Sequence, residues 1–150
     1  MKTLAAILVK TGSDLFIEEL EIPKLNYGQV LVKVNFSGLC GTQLSEINGD
    51  KGIDNWLPHC LGHEGTGNVM EIGEGVSKVK KDDKVVLSWI KSKGIDAGGA
   101  QYKLNNKIVN AGAVTTLQQY AVVSENRLST QPKELDDISA VLLGCAAPTG

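Results

Sequence analysis

Glycine makes up 17 of the 150 residues, about 11% against a usual ~7%, and most of it stands between short runs of β-forming residues. A chain cut so often into strand-length pieces cannot build long helices and folds as a strongly turned, irregular β structure. Leu4–Val9 is a continuous apolar run fit for a buried strand, and Leu15–Ile22 alternates imperfectly until Pro23 ends it. Val30, Val32, Val34 and Phe36 alternate with Leu31, Lys33, Asn35 and Ser37, the pattern of a half-buried strand. Further strands are predicted over Val69–Ile72, Lys84–Leu87 and Leu117–Ser124. Two short helices are predicted, one from Thr42, read as its cap, through Asn48, and one over Leu135–Leu143. Lys91–Gly112 is polar, without periodicity, and reads as a long loop or lobe. The expected architecture is mostly β with short helices, a partly open barrel.

Composition removes several function classes. The net charge of −2 includes no basic block able to follow a phosphate backbone, and aromatics at 5% offer no stacking platform, so nucleic acid is not an expected partner. Lys10 cuts short the first apolar run, which has neither the length of a membrane span nor a cleavage site. No membrane partner is expected, and the cytoplasm is the expected compartment.

Cys40, Cys60 and Cys145 cannot all pair with one another, and a chain of this size needs no disulfide staple. Each reads as a buried small hydrophobe, a reactive thiol or a metal ligand. Both histidines, His59 and His63, fall in the segment Pro58–Gly67, next to Cys60 and Glu64. A borderline-soft cation such as zinc takes imidazole and thiolate in tetrahedral geometry, and a catalytic site draws three ligands from separate segments and leaves a fourth place open. The close cysteine pairs of a structural zinc site are missing, so the spacing favours an open site. CxxC, HExxH and GxSxG are absent, and neither Gly65-Thr66-Gly67 nor Gly73-Glu74-Gly75 completes a dinucleotide fingerprint.

Gly62-His63-Glu64, followed by Gly67, Gly73 and Val76, resembles the zinc-containing signature of the medium-chain dehydrogenase/reductase family. Gly38-Leu39-Cys40-Gly41-Thr42 resembles that family's first metal-ligand turn, and Gly144-Cys145-Ala146-Ala147-Pro148-Thr149-Gly150 resembles its later ligand segment. Asp83-Lys84-Val85 sits where the family enters a strand. The resemblance covers the N-terminal, GroES-like catalytic domain, here residues 1–150, and implies a zinc-type alcohol or polyol dehydrogenase using NAD or NADP.

By that resemblance Cys40, His63 and Cys145 are zinc ligands, and Glu64 is a carboxylate near the metal that can replace water as a ligand. Thr42 is the hydroxyl that takes the substrate proton, Ser45 the next position of the relay, and Trp89 and Trp56 are walls of the substrate pocket. The substrate implied is a small alcohol or carbonyl, and the assembly a homo-oligomer.

Three positions depart from the family pattern. Gln43 stands where an aspartate usually holds the histidine ligand, Ser45 stands where the relay often has histidine, and the lobe Lys91–Gly112 has no cysteine for a four-cysteine structural zinc. The Rossmann domain that would bind the nicotinamide is expected after residue 150. Two other readings are a zinc-free, quinone-reductase-like member and a GroES-like module without enzymatic activity.

Overall fold

The computed structural model describes residues 1–150 as two five-stranded sheets with short helices between and after their strands. In chain order the elements are β1 (Lys2–Leu8), β2 (Phe16–Glu21), β3 (Gln29–Ser37), α1 (Gly41–Asn48), β4 (His59–Cys60), β5 (Glu64–Ile72) and β6 (Lys84–Ser88). Then follow β7 (Gln101–Leu104), β8 (Lys107–Asn110), β9 (Tyr120–Ser124), β10 (Leu128–Thr130), α2 (Asp137–Val141) and α3 (Ala146–Thr149). One sheet has the order β10-β6-β5-β3-β9, and the strands β1-β2-β7-β8-β4 form a ring that closes on itself. The barrel expected to be partly open is thus closed, but two of its seams are single residue pairs, Glu21 with Lys103 and His59 with Asn110.

Strand β3 departs from the half-buried pattern for a physical reason. Val30 and Val32 enter a core with Val69, Val85, Leu87 and Val123, while Leu31 enters a second core with Ile7, Leu20, Tyr102 and Val122. Both faces are covered, so this stretch excludes water on both sides. Past it Lys33 and Asn35 are exposed and Val34 half-buried, and an irregularity in the pairing between Val34 and Phe36 leaves Phe36 exposed where the alternation would bury it. Cys60 belongs to the second core, where burial pushes its thiol up to about 12, so it behaves as an inert hydrophobe.

Three local expectations are corrected. The lobe 91–112 contains the hairpin β7–β8, turned at Asn105-Asn106, whose φ values of 48° and 65° suit a two-residue primed turn. Helix α1 is capped at Cys40, with no side-chain capping bond, instead of at Thr42. The predicted helix 135–143 is a shorter α2, begun where the Asp136 carboxylate accepts the Ser139 N–H at 2.7 Å and ended by a tighter turn over Leu142–Gly144. No helix is long and apolar enough to cross a membrane.

Candidate metal centre

Three segments distant in sequence bring sulfur and nitrogen donors to one point. Cys40 ends the turn after β3, His63 stands just before β5, and Cys145 precedes α3. Their donor atoms all lie within 4.8 Å of one another. Cys40 Sγ and Cys145 Sγ are 3.8 Å apart, and His63 Nε2 lies 3.2 Å from Cys145 Sγ. A disulfide would need about 2 Å, whereas two zinc–sulfur bonds of about 2.3 Å at a tetrahedral angle put the sulfurs about 3.8 Å apart. The donor set fits zinc.

The electrostatics suit the same use. The backbone N–H of Thr42, and then its hydroxyl, hold the Cys40 thiol below its ordinary range, which favours thiolate. Burial pushes the Cys145 thiol up, so of the two sulfurs Cys40 loses its proton first. Burial foremost, with Lys51 adding to it, lowers His63 against the opposing pull of Glu64 and Glu46, which favours a neutral ring with a free lone pair.

Gln43 is buried on α1, with its side-chain Nε2 2.7 Å from His63 Nδ1 and its Oε1 buried without a partner. In that orientation the amide donates to Nδ1 and the ring proton sits on Nε2, facing Cys145. Turning the amide by half a rotation puts Oε1 on Nδ1, which then carries the proton and frees Nε2 to bind metal. Gln43 therefore serves both tautomers.

Glu64 is buried at the start of β5, and its Oε2 accepts the Ala146 N–H at 3.2 Å, tying it to the segment that carries Cys145. Two glycines make its space: a Cβ on Gly38 would lie 2.5 Å from Glu64 Cδ, and one on Gly144 would lie 2.8 Å from Glu64 Cβ. Ser88 Oγ donates to the Gly144 carbonyl at 2.6 Å, fixing the same segment from β6.

The remaining predicted residues are placed as follows. Thr42 and Ser45 lie one turn apart on α1. Trp56 is largely exposed and lines, with Gln43 and His63, a cleft of about 930 Å³. Trp89 is half exposed, outside that cleft's wall, with its carbonyl accepting from Arg127. Sequence reasoning set aside His59, which the fold joins to Asp54 and Glu46 on the same cleft. It also missed Glu125, whose carboxylate is buried against the turn at Ser77-Lys78 and the lobe at Ile95.

Residues 26–133 match the alcohol dehydrogenase GroES-like domain family. The chain is 31% identical over 150 residues to an alcohol dehydrogenase of Moraxella sp. (strain TAE123), covering 97% of this chain and 44% of that protein. It is 33% identical over 154 residues to an NAD-dependent alcohol dehydrogenase of Sulfolobus acidocaldarius, covering 97% and 45%. Its fold is similar to that of an alcohol dehydrogenase zinc-binding domain protein from Burkholderia ambifaria, with a TM-score of 0.84, 26% identity, and 97% and 46% of the two chains covered. The chain thus spans about half the length of the curated relatives it matches. By the match over most of its length, it belongs to the medium-chain, zinc-type alcohol dehydrogenases as their GroES-like domain.

Proposed function

We propose that this chain is the metal-holding half of a zinc-dependent alcohol or polyol dehydrogenase that exchanges hydride with NAD or NADP. The observation that carries the reading is the meeting of Cys40 Sγ, Cys145 Sγ and His63 Nε2 at spacings suited to one tetrahedral ion. A zinc-free, quinone-reductase-like reading gives these converging donors no task. Zinc held there would polarise an alcohol oxygen and lower its pKa. Thr42 Oγ accepts the alcohol proton as its own hydroxyl proton passes outward, and Ser45 is the next hydroxyl along α1 toward solvent water. Glu64 keeps a carboxylate beside the two sulfurs and the imidazole, and Gln43 orients the ring of His63. Trp56 walls the approach of a small alcohol or carbonyl, whereas Trp89, expected beside it, stands outside the cleft.

The dinucleotide belongs, in this proposal, to a Rossmann domain outside these 150 residues. Ile138, Leu142 and Leu143 are exposed apolar side chains beside Cys145 in sequence, a surface suited to that domain and to assembly as a homo-oligomer. The three free thiols suit a reducing cytoplasm. Residues 1–150 alone are expected to oxidise no alcohol with NAD or NADP, and joining them to a nicotinamide-binding domain is expected to give turnover. NAD(P)-dependent oxidation by the isolated chain would place the cofactor site wrongly.

Gln43 offers a finer test. Gln43→Asp supplies only an acceptor to His63 Nδ1, so it favours the ligand tautomer and makes the ring more basic. Zinc affinity, measured by competition with a chelator, is expected to rise by about tenfold, the lower end of what such outer partners control. Unchanged or weaker binding would mean that the amide contributes nothing to orienting His63.

A further inference from the structure

We propose that Glu46, Asp54 and His59 form a second divalent-cation site, distinct from the centre at Cys40, His63 and Cys145 and suited to zinc, cobalt or nickel. The three come from separate pieces of chain: Glu46 from the second turn of α1, Asp54 from the loop between α1 and β4, and His59 from β4. Their donor atoms lie within 4.8 Å of one another.

The ring of His59 is fixed for this use. Its side chain is 8% exposed, and Nδ1 lies 3.0 Å from the backbone carbonyl of Cys60. A carbonyl only accepts, so Nδ1 carries a proton and donates it; the Asp54 carboxylate likewise only accepts, so Nε2 donates to it, and a cation bound here takes the place of that Nε2 proton. Metal-binding histidines are typically oriented in this way, by a hydrogen bond from the other ring nitrogen to a carbonyl or carboxylate. Nε2 lies 2.7 Å from Asp54 Oδ2 and 3.9 Å from Glu46 Oε1. Ligand atoms on one ion with bonds of about 2.1 Å sit about 3–3.5 Å apart, and the two observed separations bracket that range.

The chemistry differs from that of the first centre. One imidazole and two carboxylates suit borderline cations without demanding soft thiolate. The Asp54 carboxylate is held in place by its own neighbour: Oδ1 accepts the Trp56 N–H at 2.9 Å, which leaves Oδ2 turned to His59. The two carboxylates together balance a double positive charge. The side chains of Asp54 and Glu46 remain partly exposed, and the cleft beside them leaves room for water as further ligands. A cation here would pin the loop that carries Trp56 to α1, the helix that carries Gln43. The inference does not depend on alcohol dehydrogenase activity.

Cobalt(II) separates the two sites, because only the first centre can give thiolate-to-cobalt absorption. Equilibrium dialysis of the chain against cobalt is expected to give about two ions per chain, with the thiolate band complete at the first. Asp54→Asn, Glu46→Gln and His59→Ala are each expected to weaken the second ion by tenfold or more and to leave the thiolate band intact. The double variant Cys40→Ser/Cys145→Ser is expected to keep one ion without that band. A total of one ion in the parent chain would overturn the proposal, and so would a second ion indifferent to Asp54→Asn and Glu46→Gln. Circular dichroism of each variant checks that its fold is retained; the near-isosteric Asp54→Asn decides the matter if His59→Ala unfolds.

Discussion

Glu125→Ala is expected to destabilise the fold by about 3 kcal/mol, judged from the loss of three hydrogen bonds to one buried carboxylate and from partial rehydration of the groups left behind. Oε1 accepts the N–H of Ser77 at 2.7 Å and of Lys78 at 2.8 Å, and Oε2 accepts the N–H of Ile95 at 2.7 Å. The carboxylate thereby ties the turn after β5 to the beginning of the lobe that precedes β7. Burial alone would raise its pKa, but the three N–H groups, helped by Lys78, outweigh burial and hold it below the ordinary carboxylate range. Because the folded value is depressed, this stabilisation is present above the unfolded value of about 4.3 and is lost as pH falls through the folded one. Glu125→Gln should cost less at neutral pH, since its oxygen still accepts two bonds while its NH2 meets the Ile95 N–H donor to donor. Urea unfolding at pH 7 and along the acid limb measures both effects. An acid limb in Glu125→Gln as steep as that of the parent chain would show that this carboxylate does not carry the acid sensitivity assigned to it.

The second large effect is on metal. Cys40→Ser, Cys145→Ser and His63→Ala are each expected to bring the thiolate-linked ion from about one per chain to near none, because a three-ligand site does not survive the loss of a ligand. Cys60→Ser should leave it in place, since Cys60 packs in the barrel core. The measurement is elemental analysis on an Asp54→Asn background, where the Glu46–Asp54–His59 site contributes least, together with the cobalt thiolate band. A full equivalent of metal in His63→Ala would remove this centre from the ligand assignment.

How far these features were legible depends on how local they are. The β-forming run of β3 and the His63-Glu64 and Cys40 turns are written in consecutive residues, so strand, turn and ligand candidates could be read directly, though not that β3 would be covered on both faces. Strand β4 could not: it is two residues long and exists only through its pairing with Leu8, Ile7 and Asn110. The hairpin in the lobe was hidden because Asn-Asn is a weaker turn signal than Asn-Gly and because its strands are only four residues each. Glu125 gave no sign in sequence, as its partners lie about 30 and 48 positions away. The same holds for His59, whose neighbours Asp54 and Glu46 look like ordinary solvated acids until α1 and the loop are folded back on β4.

The closure of the barrel through two single-pair seams has a dynamic consequence. The hairpin β7–β8 meets β2 only at Lys103 and β4 only at Asn110 in the strand ladder, so few backbone bonds must break for it to part from its neighbours. What retains it is side-chain anchorage: Tyr102, fully buried, whose hydroxyl accepts the Val122 N–H at 2.7 Å, and Val109 in the same core. A unit held by packing more than by ladder bonds opens as a flap, and its amides exchange with solvent earlier than those of the five-stranded sheet. His59 stands on the fixed side of one of those seams, so a cation gripped by Glu46, Asp54 and His59 would steady β4 and the loop whose Trp56 carbonyl accepts from the Asn110 side chain, the hinge line against which the flap moves.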